Sequence, residues 1–281
     1  VSAGALIAFA GDGYAFRERE RAAIRPVLIA TVQAAARDAY ADRVERAIAA
    51  LAPGSSRLRA SLIGRPERVS PLDAALLSGI AASATATIAT PVVCAALAAT
   101  ESAGAPGATL LDAIVAGVEV ALRVERALHG HRERGWDVRG TCGRLGAAIA
   151  AARAFGLQRA PTQHALGLAA TAAGGLTAAA GTMTEAFVVG SAAADGIEAA
   201  LLARAGFTAA ADALAGRRGL AALMADALDA AALVDGLGTY FALADFRTAA
   251  PSQVPVALHA AVDALERAPS IAALLAAACP A

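Results

Sequence analysis

RGWDVRGTCGRLGAAIAAARAFGL, residues 134–157, runs from a loop with three glycines straight into an alanine-rich helix. Gly135, Gly140 and Gly143 let the backbone approach a ligand or a second helix closely. Between them stand Trp136, the only tryptophan of the chain, the charged residues Asp137 and Arg139, and Cys142. The helical pattern over residues 145–155 stops at Gly156, a residue suited to the left-handed position after a helix. Alanine is both the best helix former and a very small packing side chain. Helices built from it can come close and bury one another, and this pattern recurs along the chain. The expected fold is all-α, with several fully inner helices in one helical domain spanning residues 1–281.

Composition points the same way. Of 281 residues, 58% are hydrophobic, 17% charged and 4% aromatic, which suits a large core. A surface this poor in charge favours a homodimer. Net charge is zero, so neither nucleic acid nor an anionic membrane is an expected partner. The chain has no lysine, which excludes Schiff-base and P-loop lysine chemistry. Three scattered cysteines, Cys94, Cys142 and Cys279, argue against a disulfide framework and fit a reducing cytoplasm. The apolar N-terminus lacks the basic residues of a signal peptide. The uncharged run at residues 74–100, interrupted by Pro91, reads as a buried helix pair rather than a membrane span.

Residues 17–51 predict one or two amphipathic helices. APGSS, residues 52–56, reads as a turn, and residues 57–71 as an extended connector. Ser70, Pro71 and Asp73 mark a helix start: cap, first-turn proline, and an acid at the positive dipole end. Helices are then expected over residues 72–87, 91–100, 110–128, 161–173 and 191–205. ESAGAPGAT, residues 101–109, reads as a loop. A short helix is expected from Thr208 to Gly216 and another within residues 217–233. Residues 240–246 read as a short strand or extended segment, and two helices close the chain at 256–267 and 271–278.

The segments SPLDAALLSGIAAS, LLDAIVAGVEVALRV, RGWDVRGTCGRLGAAIAAARAFGL, HALGLAATAAGGL and ARAGFTAAADALAGRRGL occur in an order that resembles the MmgE/PrpD family. That family includes 2-methylcitrate dehydratase and cis-aconitate decarboxylase. The resemblance covers residues 57–267. It implies a large helical domain, an α/β lid over the active site, and proton transfer on small carboxylates by His, Lys and Asp. No metal or organic cofactor is implied.

The departures fall on the chemistry. Ser83 stands in a histidine place, and Ala86, Ile88 and Ala89 stand where carboxylates are usual. Asp137 replaces the histidine after the aromatic residue. In TEAFVVG, Glu185 replaces a lysine and Val188 a histidine. His259 matches the entry to the lid, most of which is expected to be absent from a chain ending at Ala281.

Two readings stay open. In one, a cofactor-independent lyase, isomerase or cyclase acts on a less anionic, larger molecule. Asp137, Glu185 and His259 would then be its acid–base groups, and Trp136, Arg139, Thr141 and Ser83 its substrate contacts. In the other, the helical scaffold is a non-catalytic ligand- or partner-binding protein, with Asp137 and Glu185 held in salt bridges to arginine. Cys142 reads as a small buried residue. His129 and His131 form an H-x-H without an acidic third ligand and read as a solvated turn.

Overall fold

The computed structural model describes residues 2–11, 13–51, 58–85, 87–248 and 254–279. Twelve α-helices stand among them. The first three are α1 (Ser2–Gly11), α2 (Glu18–Arg37) and α3 (Asp42–Leu51). A two-stranded ribbon follows, β1 (Ala60–Ser61) antiparallel to β2 (Arg68–Val69), pairing Ala60 with Val69. Then come α4 (Pro71–Ala82), α5 (Ala89–Ala103), α6 (Gly107–Ala127), β3 (Leu128–His129), α7 (Cys142–Ala154), α8 (Arg159–Ala172) and α9 (Met183–Arg204). The last part holds α10 (Leu220–Met224), β4 (Ala227–Leu228), α11 (Val256–Ala264) and α12 (Ala272–Ala278). Strand β4 pairs antiparallel with β3. The fold is all-α.

Helix α4 starts where its cap dictates. Ser70 is extended, its hydroxyl accepts the Asp73 N–H at 3.1 Å, and Pro71 occupies the first turn. Helix α7 occupies the centre, against α5, α6, α8 and α9, and Arg153 is its only residue that is not buried. Its neighbours approach at backbone distance. A Cβ on Gly117 of α6 would lie 2.5 Å from the Gly146 carbonyl of α7, and one on Gly79 of α4 would lie 2.7 Å from Gly190 Cα of α9. Larger residues at the crossings would push the helices apart. Between them Leu110, Ile114, Leu145 and Ile149 are at most 1% exposed, each contributing about 1.5–3 kcal/mol on burial. Helix α9 is also long and apolar enough to cross a membrane, but most of it is buried against α4, α7 and α8.

Two anchors hold residues 233–246 on this core. Glu119 and Arg123 of α6 form a fully buried ion pair, with Arg123 Nε donating to Glu119 at 2.6 Å. The carboxylate also accepts the N–H groups of Ala242 (2.9 Å) and Leu243 (3.1 Å). The guanidinium donates to the carbonyls of Asp235 (2.9 Å) and Tyr240 (2.8 Å). The second anchor is aromatic. Phe9, Tyr14, Phe16 and Phe241 gather with centroids 5.0–6.3 Å apart, and the Tyr14 hydroxyl donates to the Gly238 carbonyl at 2.8 Å.

Several expected boundaries shift. The apolar N-terminus forms α1. Helix α4 ends at Ala82 and gives way to a 3₁₀ turn, Ser83–Thr85. Only residues 104–106 of the expected 101–109 loop lie outside helices. Helix α9 starts at Met183, eight residues before the expected 191. The expected helix from Thr208 to Gly216 is a series of turns, closed by the Gly216 N–H on the Asp212 carbonyl. Residues 240–246 form no strand. The amides of Ala242 and Leu243 are drawn to Glu119 instead, and Ala242–Ala244 form a 3₁₀ turn. The turn expected at residues 52–56, and Ala86, lie outside the described residues.

Candidate functional site

The glycine loop between α6 and α7 is held by the connection between α8 and α9. The Asp137 N–H donates to the Gly175 carbonyl (3.0 Å), the Gly174 N–H to the Gly140 carbonyl (3.2 Å), and the Thr177 N–H to the Gly135 carbonyl (2.9 Å). Trp136 and Leu176 form a bridge pair in the same ladder. A side chain at Gly140 would collide with the Gly174 carbonyl, so the glycine there permits the pairing.

This ladder places Trp136, Asp137 and Arg139 opposite Thr177, Ala180 and Glu185 around a cleft of about 480 Å³. Ile88, Leu122 and Phe246 add apolar wall, and Glu125 and Arg132 add charge. Phe246 arrives on the segment that the Glu119–Arg123 pair anchors.

Arg139 organises the charges. Its Nε lies 3.0 and 3.2 Å from the two Asp137 carboxylate oxygens, and its own N–H donates to Asp137 at 2.8 Å. Its Nη1 reaches Glu185 at 3.0 Å. The other Glu185 oxygen accepts the Gly181 N–H at 2.9 Å. Burial works to raise the Asp137 carboxyl, but the hydrogen bonds from the Arg139 side chain and backbone outweigh it, and the net shift is downward. Glu185 is lowered by the Gly181 amide first and Arg139 second. The hydrogen bond to Asp137 raises Arg139. Arg132 is paired with Glu125.

The remaining candidates sit apart from this group. Ser83 lines a separate depression with Asp42, Arg43 and Met183. Thr141 is fully buried and donates to the Asp137 carbonyl at 2.8 Å, so it braces the loop from behind rather than lining the cleft. His259 is exposed on α11 and lines none of the described clefts; the expectation that it faces the cleft gives way to a surface position. Asp137, Glu185 and His259 therefore do not converge. Cys142 is buried, which pushes its thiol up to about 12.

The H-x-H turn is not fully solvated. His129 is exposed, but His131 is 2% exposed, its Nε2 has no partner, and burial lowers its pKa. No group of three or more His, Cys, Asp or Glu side chains gathers to hold a metal among the described residues. Sequence reading missed Glu125, Arg132, Leu122 and Phe246. Leu122 and Glu125 stand three apart at the end of α6, on one helix face, and that spacing was available as a signal.

Residues 18–232 match the model of the MmgE/PrpD N-terminal domain. The chain belongs to the MmgE/PrpD family. The match begins before residue 57, taking in α2 and α3, and it includes the whole glycine loop and the α8–α9 connection. It ends before the segment around His259, whose family correspondence rests on the sequence resemblance alone. No curated protein matches the chain.

Proposed function

We propose that this MmgE/PrpD member binds a neutral or cationic small molecule with an apolar body in the cleft at Trp136, and that it does not dehydrate 2-methylcitrate. The observation that carries the reading is the internal compensation of the cleft's cations. Arg139 is engaged by Asp137 and Glu185, and Arg132 by Glu125. Three carboxylates face two guanidinium groups, so the lining is net negative. A polycarboxylate entering would lie beside displaced like charges. One such contact at 4 Å costs about 4 kcal/mol at a protein-surface dielectric. A cation, by contrast, meets Trp136 and Phe246 rings as well as carboxylates. The volume suits a small ligand.

Calorimetric titration with 2-phenylethylamine, phenylethanol and citrate tests this. The amine or the alcohol is expected to bind and citrate to show no heat. Turnover of 2-methylcitrate, or citrate binding in preference to both, overturns the proposal.

A lyase-, isomerase- or cyclase-type activity is a second reading, favoured by Glu185. Its side chain is 32% exposed on the cleft wall, where a bound ligand can reach the carboxylate. Glu185→Gln would then abolish a conversion while ligand binding persists; equal conversion by both forms removes Glu185 as the base. Leu176, Met183 and Phe187, each more than half exposed near the cleft, support self-association as a homodimer. Sedimentation as a monomer at micromolar concentration ends that part.

A further inference from the structure

The cleft at Trp136 has a neighbour. A second depression of about 530 Å³ is lined by Asp38, Asp42, Arg43, Ser83, Met183 and Glu185, among others. The same two stretches of chain bound both. The connection from α4 to α5 gives Ser83 to the second depression and Thr87 and Ile88 to the first. The stretch entering α9 gives Thr177 and Ala180 to the first, and Gly181 and Met183 to the second. Glu185 lines both. The two depressions therefore adjoin at Glu185.

The compartments differ in chemistry. The first has the aromatic walls. The second has none, and sets Asp38, Asp42 and Glu185 against one guanidinium. Arg43 is engaged there through two of its three nitrogens: Nη2 serves Asp38 and the Ala81 carbonyl, and Nε donates to the Ile80 carbonyl at 3.2 Å. Its charge is already met by Asp38. Asp42 is paired with Arg46 of its own helix, and both side chains are more than 60% exposed. Such a surface pair is weak and readily exchanged. A cation arriving at Asp42 therefore breaks no buried interaction.

We infer that the two depressions act as one trough and take an elongated ligand: an apolar head against Trp136 and Phe246, a chain crossing Glu185, and a second cationic group beside Asp42 and Ser83. This rests on the proposed cleft reading and extends it to a two-ended amine.

The test is a calorimetric series comparing 2-phenylethylamine with N-(2-phenylethyl) α,ω-diamines of increasing linker length. Affinity is expected to rise about tenfold at the linker that reaches the second compartment and to fall again beyond it. Asp42→Asn should cut the diamine-to-monoamine ratio about threefold, while Asp263→Asn, on an exposed position of α11 that lines neither compartment, leaves it unchanged. Thermal melts of both variants verify that they are folded. If 2-phenylethylamine binds but affinity is flat with linker length, or the ratio survives Asp42→Asn, the second compartment is not a subsite and only this inference falls. If no amine binds, the cationic ligand class fails and the two-ended ligand fails with it.

Discussion

Glu119→Gln removes one charge from a site that water does not reach. The wild-type carboxylate holds three donors: Arg123 Nε at 2.6 Å and the amides of Ala242 and Leu243 at 2.9 and 3.1 Å. Glutamine offers one carbonyl oxygen and turns an NH₂ toward the remaining donors. Arg123, 3% exposed, is left without its counter-charge. Breaking a buried pair from one side costs about 3–5 kcal/mol, and an orphaned amide about 1–3 kcal/mol more. The two overlap, so a loss of roughly 4 kcal/mol is expected, a large share of the ~5–15 kcal/mol typical of a folded domain. Urea denaturation followed by circular dichroism measures it, and the melting temperature should drop by roughly 10 °C. The damage should also be local. Amide exchange at Ala242 and Leu243 should accelerate more than at Ala113 and Ala116, which lie in the core of the same helix. Because Phe246 follows on the same segment, ligand affinity in the cleft should weaken as well. A cost below about 1 kcal/mol, or uniform acceleration of exchange, would refute the claim that this pair anchors residues 233–246.

Asp137→Asn should cost about 2–4 kcal/mol at pH 7, by leaving Arg139 short of a buried partner. The wild-type carboxyl titrates below its unfolded value in the folded protein, so its stabilisation is complete above about pH 4 and is lost as pH falls through the lower folded value. Melting curves from pH 7 to pH 2 should show that acid limb in the wild type and a shallower one in the variant; parallel curves would contradict it. Gly117→Ala should destabilise by about 1–3 kcal/mol through contact with the Gly146 carbonyl. Gly4→Ala, at an exposed helical position with open space, should be neutral or stabilising by up to about 1 kcal/mol; equal effects in chemical denaturation would discount the crossing argument. Cys142, buried with its thiol near 12, should resist iodoacetamide in the native protein while half-buried Cys279 reacts first. Mass spectrometry showing Cys142 labelled before Cys279 would be the contrary result.

Local chemistry was legible in the sequence wherever a signal and its partner lie within one turn. Ser70, Pro71 and Asp73 announced α4, and the capping bond is present. Gly156, at φ +70°, closes α7 as expected. The start of α9, expected at residue 191, is a long-range matter. Gly190 sits inside the helix where α4 crosses it, with the Leu76 carbonyl where a side chain would be. The short strand or extended segment expected at residues 240–246 gives way similarly, since the Ala242 and Leu243 amides are claimed by Glu119, more than a hundred residues earlier. At the site, Asp137 and Arg139 were visible as neighbours. That Glu185 shares the same guanidinium depends on the ladder between two loops, which no local pattern encodes.

The alanine and glycine crossings around α7 carry one more consequence. Alanine and glycine have no rotamers to freeze on folding or to release on warming. The centre of this molecule therefore has little side-chain slack, and its helices can respond to strain only by moving as bodies. Exchanging residues 137, 185 or 88, at helix ends and in connecting loops, leaves those crossings untouched. The scaffold separates what may vary from what must stay still: new side chains can be tried around the cleft while the geometry beneath keeps its register.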